Sequence, residues 1–162
     1  MKKLYIILVM LLSPVMLFSQ TKQINAILDK YESRKDVTSI QLNSTLIGSF
    51  LSSLMDDETK DLVSKINVIR ILNIGGGVES SETARHIKQD ISKAVESGTM
   101  ENIINMKEGG KRVVDVFVSK NSNEVLLFVS GSSQELTVIS MFGTIDKKVI
   151  DAVVSGKINI KK

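Results

Sequence analysis

Apolar positions along this chain recur first with a helical period and later with an extended one, and the change of period divides the fold. Ile24, Ile27, Leu28 and Tyr31 predict an amphipathic helix over residues 22–34, with Lys22, Asn25, Asp29 and Lys30 outside. A short strand from Asp36 to Leu42 follows, with Ile40 and Leu42 on one side. Leu46, Ile47, Phe50, Leu51, Leu54 and Met55 then form a wide apolar stripe, which predicts a core helix capped by Asn43 or Ser44. Asp56, Asp57 and Glu58 place negative charge where the next helical segment starts, through Leu62 and Val63 to Lys65.

Ile66 to Ile74 reads as a strand buried on both faces apart from Arg70 and two asparagines. After three glycines, Ala84, Ile87, Ile91, Ala94 and Val95 mark a helix that stops at Ser97-Gly98. Thr99 to Met106 is read as a short helical turn broken by Glu108-Gly109-Gly110. Lys111 to Ser119, Glu124 to Ser130 and Glu135 to Phe142 are rich in Val, Leu, Ile and Phe and are separated by short polar loops, which predicts an antiparallel meander. Asp115, Thr137 and Ser140 suggest that one of its faces is the wetter one. Gly143-Thr144 opens a closing helix lined by Ile145, Val149, Ala152 and Val153, and the tail from Gly156 to Lys162 reads as a ragged edge strand or as disordered. The expected fold class is α+β: a two-layer sandwich, a four- or five-stranded mixed sheet ending in that meander, with helices on one face.

The first nineteen residues stand apart. Lys2 and Lys3 precede an apolar run from Leu4 to Leu12, then Ser13-Pro14 and a tail ending Phe18-Ser19-Gln20, the pattern of a secretory signal peptide cut after Ser19. The broken run from Leu4 to Phe18 is shorter than the roughly 20 residues that span a bilayer, so no stable membrane span is expected after cleavage. Residues 1–19 are therefore read as a signal peptide and residues 20–162 as a single α+β domain, exported to the periplasm or, alternatively, out of the cell. Without Lys2 and Lys3 the balance falls from 21 basic residues to 19, against 18 acidic ones, so a near-neutral domain offers nucleic acid no electrostatic footprint. Cysteine is absent, which rules out disulfides, thiolate chemistry and lipid attachment through a terminal cysteine.

Candidate chemistry begins with Gly75-Gly76-Gly77, placed between an apolar run and a helix as a phosphate loop would be. A dinucleotide loop requires a third glycine where Ser80 stands, and a Walker loop requires Gly-Lys-Ser/Thr. Glu79 and Glu82 at the helix start would repel the anion, so the glycines read as a turn, with Ser80 or Ser81 as a cap. His86 is the only histidine, too few for an ordinary zinc site, and reads as a boundary residue. The acids at 56–58 lack the Asp-x-Asp-x-Asp-Gly spacing of a calcium loop.

No serine lies in Gly-x-Ser-x-Gly, and the serines of Ser130-Gly131-Ser132-Ser133 belong to a hairpin loop. Asp115 is the carboxylate to inspect first for paired-acid chemistry, although a chain with no Trp is poorly equipped for sugars; its bland reading places it on the wetter sheet face near Lys111 or Arg112. Met55, Met100, Met106 and Met141 read as core filling. No catalytic, cofactor-binding or metal-binding residue is expected from these patterns.

Several segments together resemble a known family. Phe18-Ser19-Gln20, Lys30-Tyr31-Glu32, the strand Ile66-Asn67-Val68-Ile69-Arg70-Ile71-Leu72, the segment from Met100 to Gly110 and the ending Ile139-Ser140-Met141-Phe142-Gly143-Thr144-Ile145-Asp146 look like the Bacteroidetes envelope family known as domain of unknown function 4252. The Phe-Gly-x-Ile-Asp ending looks like a strand, a glycine turn and a helix cap. Members often carry a lipoprotein cysteine, so its absence here implies a soluble periplasmic form; the resemblance brings no catalytic residues. The expected function is a non-catalytic module that recognises an envelope protein or component through its sheet face or an exposed strand edge. The alternative is a small-ligand carrier or weak hydrolase, with a pocket between helices and sheet lined by Phe50, Phe128 and Phe142.

Overall fold

A computed structural model describes residues 20–51, 57–75, 78–109, 111–120, 125–131 and 135–154. In chain order the elements are α1 (Gln20–Glu32), β1 (Val37–Asn43), α2 (Ser44–Leu51), α3 (Asp57–Ser64), β2 (Ile66–Ile74), α4 (Val78–Glu96), β3 (Met100–Glu108), β4 (Lys111–Ser119), β5 (Val125–Gly131), β6 (Leu136–Gly143) and α5 (Lys147–Val154). The strands form one six-stranded sheet in the order β1-β2-β6-β5-β4-β3. Every neighbouring pair is antiparallel. The α+β class and the closing meander hold, while the mixed sheet of four or five strands becomes an antiparallel sheet of six. The tail 156–162 lies outside the described residues, as do Leu54, Met55 and Asp56.

The sixth strand is the segment read as a helical turn. Asn102 faces Phe117 and Asn105 faces Asp115 in the ladder, with a register shift between Asn102 and Ile104. Such a bulge sets an extra residue against one partner, so residues three apart return to the same face. A spacing that suggests a helix is here the product of an irregular strand.

Helices also cover both faces. Alternate residues of a strand point to opposite sides, and the buried residues divide accordingly. Val125, Leu127, Val129, Leu136, Val138 and Phe142 pack with Ile24, Leu28 and Tyr31 of α1 and Ile87, Ile91 and Ala94 of α4. Val116, Val118 and Leu126 pack with Leu62 of α3, Ile145, and Val149 and Ala152 of α5. Asp115 and Ser140 obscured this arrangement, because both are polar residues set beside the apolar core under α1 and α4. Ser140 is itself fully buried.

Local signals fix the helix ends. Asn43 Oδ1 accepts the amide of Leu46 at 3.0 Å, making Asn43 the cap of α2. Asp146 Oδ1 accepts the amide of Val149 at 3.0 Å and so caps α5, in the strand, turn and cap arrangement of the Phe-Gly-x-Ile-Asp ending. Gly98, at φ 78°, ends α4 with its amide on Val95 O. Ile47 of α2 is buried, but Leu46 is 44% exposed, so the core stripe of that helix is narrower than its sequence suggests.

Arg70 is the main departure within β2. Read as an exception to burial, it is instead 5% exposed. Its guanidinium meets Asp29 at 2.8 Å, Glu32 at 2.7 Å and Asn25 Oδ1 at 2.8 Å. These three residues follow one another at helical spacing along one side of α1, so β2 and α1 are joined by a buried cation and a stripe of acceptors.

Candidate functional site

The glycine loop has a structural role where it is described. Gly75 is exposed, while Gly76 and Gly77 lie outside the described residues. The Ser80 hydroxyl donates to the Gly75 carbonyl at 2.8 Å, so it ties the loop to the first turn of α4. Glu79 stands in that first turn, where its charge suits the helix dipole.

The other candidates are each bonded to different neighbours. His86 is half-buried, with its Nε2 3.5 Å from the Arg85 guanidinium. Asp57 pairs with Lys60 at 3.1 Å on exposed surface. Asp36 has its carboxyl held below the usual aspartate range, first by the Thr83 hydroxyl facing it, against the opposing effect of burial. Phe142 and Phe128 sit in cores on opposite faces of the sheet and cannot line one pocket. The Phe50 side chain lies outside the described residues.

Asp115 does occupy a recess. Its Oδ1 accepts from the side-chain amides of Asn102, at 3.2 Å, and Asn105. It lies under α4, where Lys88, Ile91, Ser92, Phe117, Val129 and Gly131 complete a cavity of about 120 Å³. Burial pushes the Lys88 ammonium below its ordinary pKa, with the Asp115 charge opposing that effect, and Lys88 Nζ donates to Gly131 O at 3.3 Å. Reading β3 as helical hid Asn102 and Asn105, and with them the setting of Asp115; Lys88 carried no sequence signal beyond its place on α4.

A second polar cluster joins α1 to α4. Asp90 Oδ2 accepts from Lys30 at 2.7 Å and from the Tyr31 hydroxyl at 2.8 Å. The Lys30 and Tyr31 bonds hold the Asp90 carboxyl below its ordinary value, with burial opposing. Burial raises the Tyr31 hydroxyl, and the bond to Asp90 adds to that shift. A carboxyl depressed in the folded state contributes stability that is fully present above its unfolded pKa and is lost as pH falls through the folded one. Asp90→Asn is therefore expected to lower the urea midpoint near neutrality and to flatten its decline in acid, the two proteins converging once the carboxyl is protonated in both states. An unchanged acid limb would show that Asp90 does not contribute to it.

Among the described residues there is no group of three or more His, Asp or Glu placed to hold a metal ion, and no helix is long and apolar enough to cross a membrane.

The two sheet edges differ. β1 runs Val-Thr-Ser-Ile-Gln-Leu-Asn without a charge, pairs with β2 over seven consecutive residues without a register shift, and is exposed from Thr38 to Gln41. β3 carries Glu101, Lys107 and Glu108 and two register shifts. Charge and bulges are how a sheet edge is closed to further pairing. β3 has both and β1 has neither.

Comparison with known proteins gives one match, to the family model described as Domain of unknown function (DUF4252), over residues 31–153. No curated protein and no solved structure matches.

Proposed function

We propose that this chain, which belongs to the DUF4252 family, is an exported, non-catalytic interaction module of the bacterial cell envelope that binds by accepting an added strand along β1. What supports this is the contrast between the edges: β1 is uncharged, exposed and paired with β2 without a register shift, with Ile40 47% accessible at its centre. In strand addition the main chain supplies affinity and alternate side chains supply specificity. The dispersal of His86, Asp115 and Ser80 among separate bonding partners supports a role without turnover. The address rests on Lys2 and Lys3 before the apolar run from Leu4 to Leu12.

The test compares Ile40→Lys with Met106→Lys, which alter the two edges at residues of similar exposure, 47% and 55%. A lysine at an edge strand obstructs pairing without disturbing the core. With partners captured from the envelope of the host cell, Ile40→Lys is expected to lose at least about 90% of the bound material, a change of about 1.4 kcal/mol or more. Met106→Lys is expected to retain it. The opposite pattern would move the site to β3, and equal retention by both variants would remove strand addition as the mode of binding.

The recess between Lys88 and Asp115 favours the second reading, a carrier or weak hydrolase. Its volume of about 120 Å³ is well below the roughly 300–1,000 Å³ of ordinary ligand pockets. It would admit only a very small ligand, so it ranks second to the open edge.

A further inference from the structure

We propose that the strand received at β1 is β1 of a second copy of this chain, paired antiparallel about a two-fold axis at Ile40. The inference rests on the reading that β1 accepts a strand, and it names the partner. Ile40 is the middle residue of β1, with three residues on either side. Two-fold pairing there sets Thr38 opposite Leu42, Ser39 opposite Gln41 and Ile40 opposite its own copy. All these positions are uncharged, so the strand meets itself without like-charge repulsion, and Ser39 and Gln41 bring complementary hydrogen-bonding groups together.

The apolar face of the sheet points to the same partner. The ladders place Ile40 beside Ile71, Ile71 beside Ile139, Ile139 beside Phe128, Phe128 beside Val116 and Val116 beside Ile104. This is a continuous apolar row across all six strands. Val116 is buried, while Ile71, Ile139, Phe128 and Ile104 are half-buried. The row reaches solvent most openly at Ile40, its end on the uncharged edge. A second copy would cover Ile40 with an identical side chain and extend the row through both sheets. A foreign strand would need to supply an apolar residue at that one position, whereas the chain itself already does.

The natural chain has no cysteine, which gives a direct test. Opposed residues in antiparallel strands have Cα separations of about 4.5–5.5 Å, within the range that a disulfide bridges. Ile40→Cys, in the chain as its host cell processes it, is expected to give a disulfide-linked dimer under mild oxidation, and Met106→Cys to remain unlinked. Sedimentation equilibrium of the unaltered chain is expected to give twice the single-chain mass, falling to the single mass in Ile40→Lys with the thermal transition retained. A single-chain mass throughout the micromolar range, with no linked Ile40→Cys dimer, would overturn the proposal. Were a foreign partner still lost on Ile40→Lys in that case, the dimer alone would fall; were no partner captured at all, strand acceptance at β1 would fall with it.

Discussion

Asp29→Asn combined with Glu32→Gln is expected to destabilise the domain by about 3–5 kcal/mol, because removing both carboxylates leaves the Arg70 charge uncompensated in a buried site. The Arg70 side chain is 6% exposed, whereas those of Asp29 and Glu32 are 62% and 43% exposed. The asymmetry sets the order of effects. Without Arg70 the acids regain water; without the acids Arg70 cannot. Its Nε is already buried without a protein acceptor, so the acceptors on α1 supply the compensation for its charge. Arg70→Met keeps much of the side-chain volume and leaves no buried charge, so it is expected to cost less than the double substitution, about 2 kcal/mol or below. Urea denaturation of the three proteins at one pH checks this, and a larger loss in Arg70→Met would show that the acids had not been compensating the cation.

Gly143→Ala is the second large effect. A Cβ there would lie 2.1 Å from the Lys65 carbonyl oxygen and 2.9 Å from Ile66 Cα, both main-chain atoms. Side chains can rotate away from such an intrusion, but a paired strand cannot. Gly143 faces Ile66 across the β6–β2 ladder, and the next amide, of Thr144, donates to Lys65 O at 2.9 Å. The substitution should therefore part β6 from the start of β2, at a cost near the top of the roughly 1–3 kcal/mol typical of overpacking. Gly48→Ala serves as the contrast, since Gly48 lies in α2 with open space around the added methyl. There alanine favours the helix by up to about 1 kcal/mol. Thermal denaturation should move down for Gly143→Ala and stay level or rise for Gly48→Ala.

The sequence was most legible where neighbouring residues determine the structure. Ala84, Ile87, Ile91 and Ala94 define α4, and Gly98 ends it, because helical periodicity and a left-handed cap are local matters. The meander followed from apolar runs separated by polar turns. β3 did not, because its bulge brings Asn102 and Asn105 to one face at a spacing that also suits a helix. Arg70 was misplaced because a charge within a strand ordinarily marks solvent, and the acceptors that bury it lie on α1, about forty residues earlier in the chain. That both faces are covered was hidden by Asp115 and Ser140, polar residues that lie under α1 and α4 among apolar ones.

The binding edge was legible only as a category. That some strand edge would be available follows from any open sheet, but its identity depends on strand order. β1 and β3 are remote in sequence from each other, and only long-range pairing through β2, β6, β5 and β4 makes them the two borders. The apolar row from Ile40 to Ile104 is equally invisible before registers are known, since its six residues come from six separate segments.

Site-specific photo-crosslinking in living host cells, with the reactive group placed at Ile40 or at Met106, tests the use of β1 most directly. The two sites have similar exposure on opposite borders of one sheet, so accessibility alone would label both. Adducts from Ile40 and none from Met106 are the predicted result; adducts from Met106 alone, or from neither, would contradict it.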